Sequence, residues 1–349
     1  MSMKKNIFRT CGFVTALLTL TFAHCSKTRQ FDLVTMTGRT MGTTFSIKIA
    51  IPENSGQVQE ALEKQIYALL DTVNMQMSTY LETSELSRFN TYRGSEWFPV
   101  SPPMALVMGY AQHISAISGG AFDITVGPLV NLWGFGPEVS PDDLPPDAEV
   151  QKRKQLVGYI NLQVRKDPPA LQKAIPDMYC DLSAIAKGYG VDVVADYLLA
   201  RGYKNILVEI GGEIRSAGHN HHNKKWRIGI SSPVTEPGIQ KVLTVDNCGV
   251  ATSGDYRNYF EKDGIRYSHT IDPSTGRPIT HKLASVTVLH DSCMVADGLA
   301  TAINVLGPEK GYEFAINQNL MVFMIVKSDT GFVEKMTPGF EKLLDELEK

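Results

Sequence analysis

The sequence predicts an α+β fold, with a layered β-sheet core flanked by helices. Long helical patterns come early, and several strand patterns follow one another late in the chain. Strands and helices do not alternate strictly, as they would in a doubly wound sheet. No G-x-G-x-x-G motif follows a first strand, so a Rossmann nucleotide site is not indicated.

The pattern along the chain supports this class element by element. Apolar residues alternate over residues 39–50, as in a strand, and recur at helical spacing over residues 58–77. A helix follows Pro102 and ends at Gly119, residues 127–146 have the composition of a surface loop, and residues 185–201 form a helix closed by Gly202. The remaining predicted elements are a helix at 295–306 and strands at 206–210, 226–230, 242–245, 267–271, 284–289 and 321–326.

The N-terminus has the pattern of an export signal. Residues 1–24 combine a positive start with an apolar run at 11–22 that is too short to span a bilayer. Cys25 follows directly, as in a bacterial lipobox; the alternative is an ordinary signal peptide cleaved nearby. We expect a tether over residues 25–34 and a folded domain over 35–349. Ser26, where inner-membrane lipoproteins carry Asp, favours the outer membrane.

Charge and cysteine content exclude two classes of protein. Loss of Lys4, Lys5 and Arg9 with the signal changes the formal net charge from −3 to −6, and no basic block remains. Nucleic acid is therefore not an expected partner. The cysteines after the signal are Cys180, Cys248 and Cys293, an odd number without C-x-x-C spacing, so a disulfide framework is not indicated.

Two acidic positions suggest a cation and nucleotide site. Asp297 and Thr301 are four residues apart on a predicted helix, so two oxygen ligands share one face. Hard cations such as Mg²⁺ take such ligands, completed by carbonyl, water and phosphate oxygens. The alternative is a solvated face or a cap. Asp181 precedes a predicted helix that carries Lys187, where amides and an ammonium suit phosphate; Asp181 or Ser183 could equally be the N-cap.

Small residues beside acids and a single histidine mark further candidates. Residues 119–123 (GGAFD) and 211–213 (GGE) allow close backbone approach to a ligand, although both also suit generic turns. His269 precedes the turn at residues 273–276; it is either structural or a general acid or base beside a phosphate. These residues alone predict a Mg²⁺ and nucleotide site and do not identify a reaction.

Several ordered motifs carry a resemblance to a known family. They are RTMGTT (39–44), AFDITVGPLVNLWGFG (121–136), DLSAIAKGYG (181–190), EIGGE (209–213), TSGDYRNYF (252–260), HTIDPSTGRP (269–278) and ADGLAT (296–301). In this order they closely resemble the ApbE family of FAD:protein FMN transferases, over essentially everything after residue 31. The resemblance implies an ApbE-like, T-fold-related architecture.

The resemblance also implies a residue-level site. The residues that would contact FAD are Met41, Tyr80, Ala121, Phe122, Asp123, Asp181, Lys187 and Ile271. Mg²⁺ would be held by Asp297, Thr301 and the backbone carbonyl of Ala184, and His269 is our candidate for proton transfer. A Thr or Ser hydroxyl of an acceptor protein would take the FMN moiety and release AMP.

The family's partners imply where the enzyme acts. Typical acceptors carry a motif like D-x-x-[ST]-G-A-T, in subunits of sodium-pumping NADH:quinone oxidoreductase or related electron-transport complexes. An exported, lipid-anchored enzyme in the bacterial periplasm would meet such domains at the membrane. The alternatives are a Mg²⁺-dependent FAD pyrophosphatase that forms FMN and AMP, and a flavin-binding lipoprotein without chemistry.

Acylation of Cys25 is directly testable by mass spectrometry of the membrane-extracted protein. We expect a diacylglyceryl-sized addition on Cys25. The Cys25→Ser variant should lack the addition and leave the membrane fraction. An unmodified mature chain would instead indicate an ordinary signal peptide.

Overall fold

A computed structural model describes residues 31–53, 59–137, 143–233, 238–254, 259–262 and 264–347. The predicted signal and Cys25 lie outside these residues. The first strand begins at Phe31, so residues 31–34, predicted as tether, belong to the folded domain. No helix in the described part of the chain has both the length and the hydropathy needed to cross a membrane.

The helices and strands follow the predicted order with several additions. The helices are α1 (Gln59–Met77), α2 (Glu85–Thr91), α3 (Pro102–Ile117), α4 (Gly127–Leu132), α5 (Asp147–Lys154), α6 (Ala186–Ala200), α7 (Cys293–Asn317) and α8 (Pro338–Leu347). The first strands are β1 (Phe31–Thr40), β2 (Thr43–Pro52), β3 (Phe98–Pro99), β4 (Leu162–Lys166), β5 (Pro169–Lys173), β6 (Ile206–Ile210) and β7 (Glu213–Ala217). The later ones are β8 (Trp226–Ser231), β9 (Ile239–Val245), β10 (Cys248–Gly254), β11 (Tyr259–Lys262), β12 (Ile265–Ser268), β13 (Ile271–Asp272), β14 (Arg277–Pro278), β15 (Leu283–His290), β16 (Met321–Ser328) and β17 (Gly331–Met336).

The centre of the molecule is one eight-stranded sheet with the order β1-β2-β6-β7-β10-β15-β16-β17. All neighbouring strands in it pair antiparallel. Smaller sheets are formed by β3-β5-β4, β8-β9, β11-β12 and β13-β14. The predicted α+β class is confirmed.

Apolar side chains cover both faces of the large sheet. On one face α1, α6 and α7 pack against strand residues that include Val208, Ala251 and Val286, and α3 packs on α7. On the other face the β8–β9 hairpin and α8 cover the strand residues whose side chains point the opposite way. There the Phe340 ring of α8 stacks on the Phe323 ring of β16, with ring centroids 5.5 Å apart. The fold therefore has three layers, with α6 and α7 buried against the sheet.

Four predicted elements differ from the structure. The strand expected at 39–50 is part of a hairpin, because Met41 and Gly42 both adopt positive φ and reverse the chain. The strand expected at 267–271 is broken between β12 and β13. The loop expected at 127–146 contains α4, whose Leu129 is buried. The last predicted helix continues to Asn317, past a kink at Gly307.

Helices α6 and α7 approach each other closely at Gly188. A Cβ on Gly188 would overlap the backbone carbonyl of Cys293 on α7. A glycine is required there because backbone atoms, unlike a flexible side chain, have little freedom to move aside.

We expect Gly188→Ala to lower the free energy of unfolding by about 1–3 kcal/mol, because the added methyl forces two packed helices apart. The matched control is Gly109→Ala in α3, where the new Cβ would lie 3.6 Å from the flexible Lys166 side chain. That change should be neutral or stabilising by up to about 1 kcal/mol. Urea unfolding measures the free energy of unfolding of both variants. Equal effects of the two substitutions would contradict the requirement for glycine at position 188.

Candidate active site

A cavity of about 1450 Å³ opens at one end of the large sheet. All twelve predicted site residues of the folded domain line it, namely Met41, Tyr80, Ala121, Phe122, Asp123, Asp181, Ala184, Lys187, His269, Ile271, Asp297 and Thr301. The structure thus brings together residues that are up to 260 positions apart in the chain. The individual roles expected for them stay predictions.

Strand pairing explains why these segments meet. Phe45 of β2 pairs with Ile210 of β6, so the β1–β2 turn and the β6–β7 turn lie side by side. The C-terminal end of the central strand β10 reaches the same end of the sheet as these two turns. These segments form the floor of the cavity.

The β1–β2 turn places Met41 in an unusual conformation. Met41 has φ 48° and Gly42 has φ 72°, as in the two-residue turns that suit the twist of a hairpin. A non-glycine residue in the left-handed region costs about 1–2 kcal/mol. Such local strain is found at many functional positions, and Met41 lines the cavity while also packing against the core.

Two buried acids, Glu213 and Asp297, and the partly exposed Lys187 form a cluster where α6, α7 and β7 meet. The Lys187 ammonium is 3.6 Å from Glu213 Oε1 and 3.8 Å from Asp297 Oδ2. Burial raises the pKa of Glu213 to about 8 and also raises that of Asp297, while Lys187 opposes both shifts. Burial alone would lower the pKa of Lys187, but Asp297 and Glu213 raise it. Lys187 therefore stays a cation, and it lies between two acids whose carboxyl groups keep their protons to higher pH than usual.

The oxygen atoms around this cluster suit a hard cation. Asp297 Oδ2 accepts a hydrogen bond from the Gly188 amide (3.0 Å) and faces Lys187, which leaves Oδ1 available as a ligand. Buried Glu213 Oε2 has no hydrogen-bond partner. Thr301 lies one turn after Asp297 on the cavity side. These oxygen ligands fit Mg²⁺.

No cluster of three His, Cys, Asp or Glu residues suited to a metal occurs within the described ranges. A metal site here would therefore need hydroxyl, carbonyl or phosphate oxygens besides the carboxylates.

Two predicted FAD contacts have carboxylates that organise the loops carrying them. Asp181 Oδ1 accepts from the Ser183 amide (2.8 Å) and hydroxyl (2.5 Å). Asp123 accepts from Thr125 through Oδ1 and from the Tyr159 amide through Oδ2. Neither Asp181 nor Ser183 caps α6, because Ala186 begins this helix and Ile185 occupies the cap position. Burial raises the pKa of Asp123.

Aromatic residues surround the mouth of the cavity. The Tyr80 hydroxyl donates to the Phe135 carbonyl at 3.5 Å, although the residue as a whole is 67% exposed. Partial burial of this hydroxyl and the Asp181 charge raise the pKa of Tyr80. The Phe135 ring packs edge-on against His269, with centroids 6.3 Å apart. The next residue, Thr270, accepts a hydrogen bond from Asn304 of α7 (3.4 Å), which ties the His269 segment to the same helix as Asp297.

Glu213 is outside the predicted set of site residues. The sequence places it directly after Gly211 and Gly212, a pattern that we interpreted as close backbone approach. Its ion pair with Lys187 depends on the β6–β7 turn meeting α6, and spacing along the chain does not show that contact. The Gly-Gly-acid pattern was the available signal.

The raised pKa of Glu213 predicts a pH dependence of stability. Its carboxyl stays protonated up to about pH 8 in the folded protein but titrates near 4.5 when unfolded, so the unfolded chain binds fewer protons between these values. The free energy of unfolding of the metal-free protein should therefore fall as pH rises from 4.5 towards 8. Glu213→Gln should reduce this fall, measured by urea unfolding at several pH values. Parallel curves for both proteins would contradict the burial of this carboxyl.

Comparisons with known proteins agree on one family. Residues 41–324 match the model of the ApbE family. The FAD:protein FMN transferase of Vibrio cholerae is 49% identical over 93% of this chain and 96% of its own length, and that of Haemophilus influenzae is 43% identical over 98% and 99%. The solved structure of the flavin transferase ApbE from Vibrio cholerae has a TM-score of 0.84 at 47% identity, covering 89% of this chain and 99% of that one. The flavinyl transferase ApbE from Pseudomonas stutzeri has a TM-score of 0.82 at 40% identity, covering 90% and 97%. The chain belongs to the ApbE family.

Proposed function

We propose that this protein transfers the FMN moiety of FAD to a Thr or Ser hydroxyl of an acceptor protein, in a Mg²⁺-dependent reaction that releases AMP. The observation that carries the proposal is the pairing of Lys187 with Asp297 inside a cavity lined by all twelve residues of the predicted site. The relatives named above as FAD:protein FMN transferases support it.

The size of the cavity fits a large substrate and a second reactant. Typical small-molecule sites have volumes of about 300–1000 Å³. The volume here, about 1450 Å³, leaves room for a dinucleotide together with an entering acceptor segment.

The proposed step exchanges one phosphorus–oxygen bond for another. The acceptor oxygen bonds to the FMN-side phosphorus, and the bond from that phosphorus to the bridging oxygen breaks. AMP leaves with the bridging oxygen. The acceptor proton passes to a base, for which we propose His269 at the cavity mouth.

The chain's own groups supply positioning and charge. The Lys187 ammonium would contact the diphosphate, and its contacts with Glu213 and Asp297 restrict where it can move. Asp297 Oδ1, the Thr301 hydroxyl and the Ala184 carbonyl would hold the magnesium ion. When bound, that ion neutralises charge on the diphosphate during transfer.

We also propose that the enzyme is exported and anchored to a bacterial membrane through Cys25. The pattern of residues 1–25 supports this location. There it would meet membrane redox subunits that carry a D-x-x-[ST]-G-A-T-like motif.

The direct test mixes the protein without its signal with FAD, Mg²⁺ and a Thr-containing acceptor domain. We expect covalent flavin on the acceptor, seen by in-gel fluorescence, with an equal amount of AMP. AMP with only free FMN would indicate a pyrophosphatase, and neither product would indicate a binding protein.

Asp297→Asn supplies the matched test of the cation site. The amide oxygen can still accept from Gly188, but the lost charge should lower transfer by roughly 100-fold or more. The control is Glu309→Gln, an exposed residue of the same helix, which should retain full activity. Unimpaired transfer by Asp297→Asn would remove Asp297 from the proposed site.

A further inference from the structure

The proposed site is divided between two helices. Lys187 lies in the first turn of α6, with Ala184 just before it, whereas Asp297 and Thr301 lie on α7. The position of α7 relative to α6 therefore determines whether the ligands on α7 face the diphosphate held by Lys187.

The Asp192 carboxylate of α6 accepts three hydrogen bonds from the start of α7. Oδ2 accepts from the Ser292 hydroxyl (2.7 Å) and the Met294 amide (3.0 Å). Oδ1 accepts from the Cys293 amide (3.1 Å) and from Arg215 of β7 (3.1 Å). Asp192 is 8% exposed, so this carboxyl group has little contact with solvent.

These contacts exceed what ordinary capping requires. Ser292 already acts as the N-cap of α7, since its hydroxyl accepts from the Val295 amide at 3.3 Å. Asp192 adds acceptors for two further free amides, and its negative charge interacts favourably with the positive end of the helix dipole. A capping side chain normally comes from the same helix; this one comes from the helix that carries Lys187.

The contacts of α6 with α7 continue from Asp192 to Asp297, the proposed cation ligand. Gly188, one turn before Asp192, donates its amide to Asp297 Oδ2, one turn after Cys293. The two helices are therefore joined by two sets of polar contacts, at Gly188 and at Asp192 of α6. Displacement at the Asp192 contact would shift Asp297 relative to both Gly188 and Lys187.

We propose that Asp192 is a positioning residue that aligns the cation ligands of α7 with Lys187 of α6. Asp192 is absent from the residues that line the cavity, so it acts through α7 and not by touching the substrate. The inference rests on the proposed Mg²⁺-dependent transfer.

The chain contains a matched control on the same helix. Asp196, one turn after Asp192, also pairs with Arg215 (2.8 Å), but its side chain is 67% exposed. Asp192→Asn and Asp196→Asn each remove one negatively charged partner of Arg215. Only Asp192→Asn also changes the contacts to α7.

The test measures divalent cation binding as well as transfer. Mn²⁺ binding to the FAD-loaded protein is followed by electron paramagnetic resonance, and the Mg²⁺ concentration for half-maximal transfer is measured in parallel. We expect Asp192→Asn to weaken Mn²⁺ binding and to raise the required Mg²⁺ concentration by roughly tenfold, the size typical of groups that orient a metal ligand. Excess Mg²⁺ should restore most of the rate, whereas a purely structural defect would not respond to Mg²⁺. Asp196→Asn should match the wild type.

Equal cation affinities for the Asp192→Asn and Asp196→Asn proteins would overturn the inference while leaving the proposed function intact. Transfer by the wild type that needs no divalent cation would overturn both. If Asp192→Asn does not fold, Ser292→Ala removes one hydroxyl donor to the same carboxylate and should give a smaller shift in the same direction. Wild-type cation affinity in Ser292→Ala would then count against the inference.

Discussion

The close crossing of α6 and α7 is the constraint on which the site depends. Gly188 lets the backbones approach, and its amide donates to the carboxylate that we propose as a cation ligand. The same approach brings the Lys187 ammonium within 3.8 Å of Asp297. Packing of the two helices therefore also brings Lys187 to Asp297, and the β6–β7 turn adds Glu213 to the cluster.

The charge balance at this crossing indicates what the site accepts. Two buried carboxylates share one ammonium, so the cluster keeps a negative charge when all three groups are ionised. Burial opposes that state and raises the pKa of both acids. A divalent cation would favour their ionised forms and would at the same time attract a diphosphate. Stability of the metal-free protein and affinity for the cation are therefore linked through the same carboxylates.

Sequence patterns predicted α1, α3, α6 and α7, and strand composition predicted β6, β15 and β16 of the central sheet. They did not predict β7 and β10, which lie between β6 and β15 in that sheet. The predicted site residues all line one cavity. Position along the predicted elements indicates Asp181, Lys187, His269, Asp297, Thr301 and residues 119–123, whereas Met41, Tyr80, Ala184 and Ile271 come from the family motifs alone. Other features depend on tertiary contacts that leave no local signal. Nothing in the sequence marks Met41 for positive φ, and the Asp192 contact joins residues about one hundred positions apart. The apolar positions of α4 are too few to produce a periodic pattern, although tertiary packing buries Leu129.

The most direct measurement is a crystal structure of the protein with FAD and Mn²⁺, using anomalous scattering to locate the cation. We expect the cation beside Asp297 Oδ1 and Thr301, with the FAD diphosphate between it and Lys187. A cation peak away from α7, or FAD bound outside the cavity at the end of the sheet, would contradict the central claim that the α6–α7 crossing forms the reactive site.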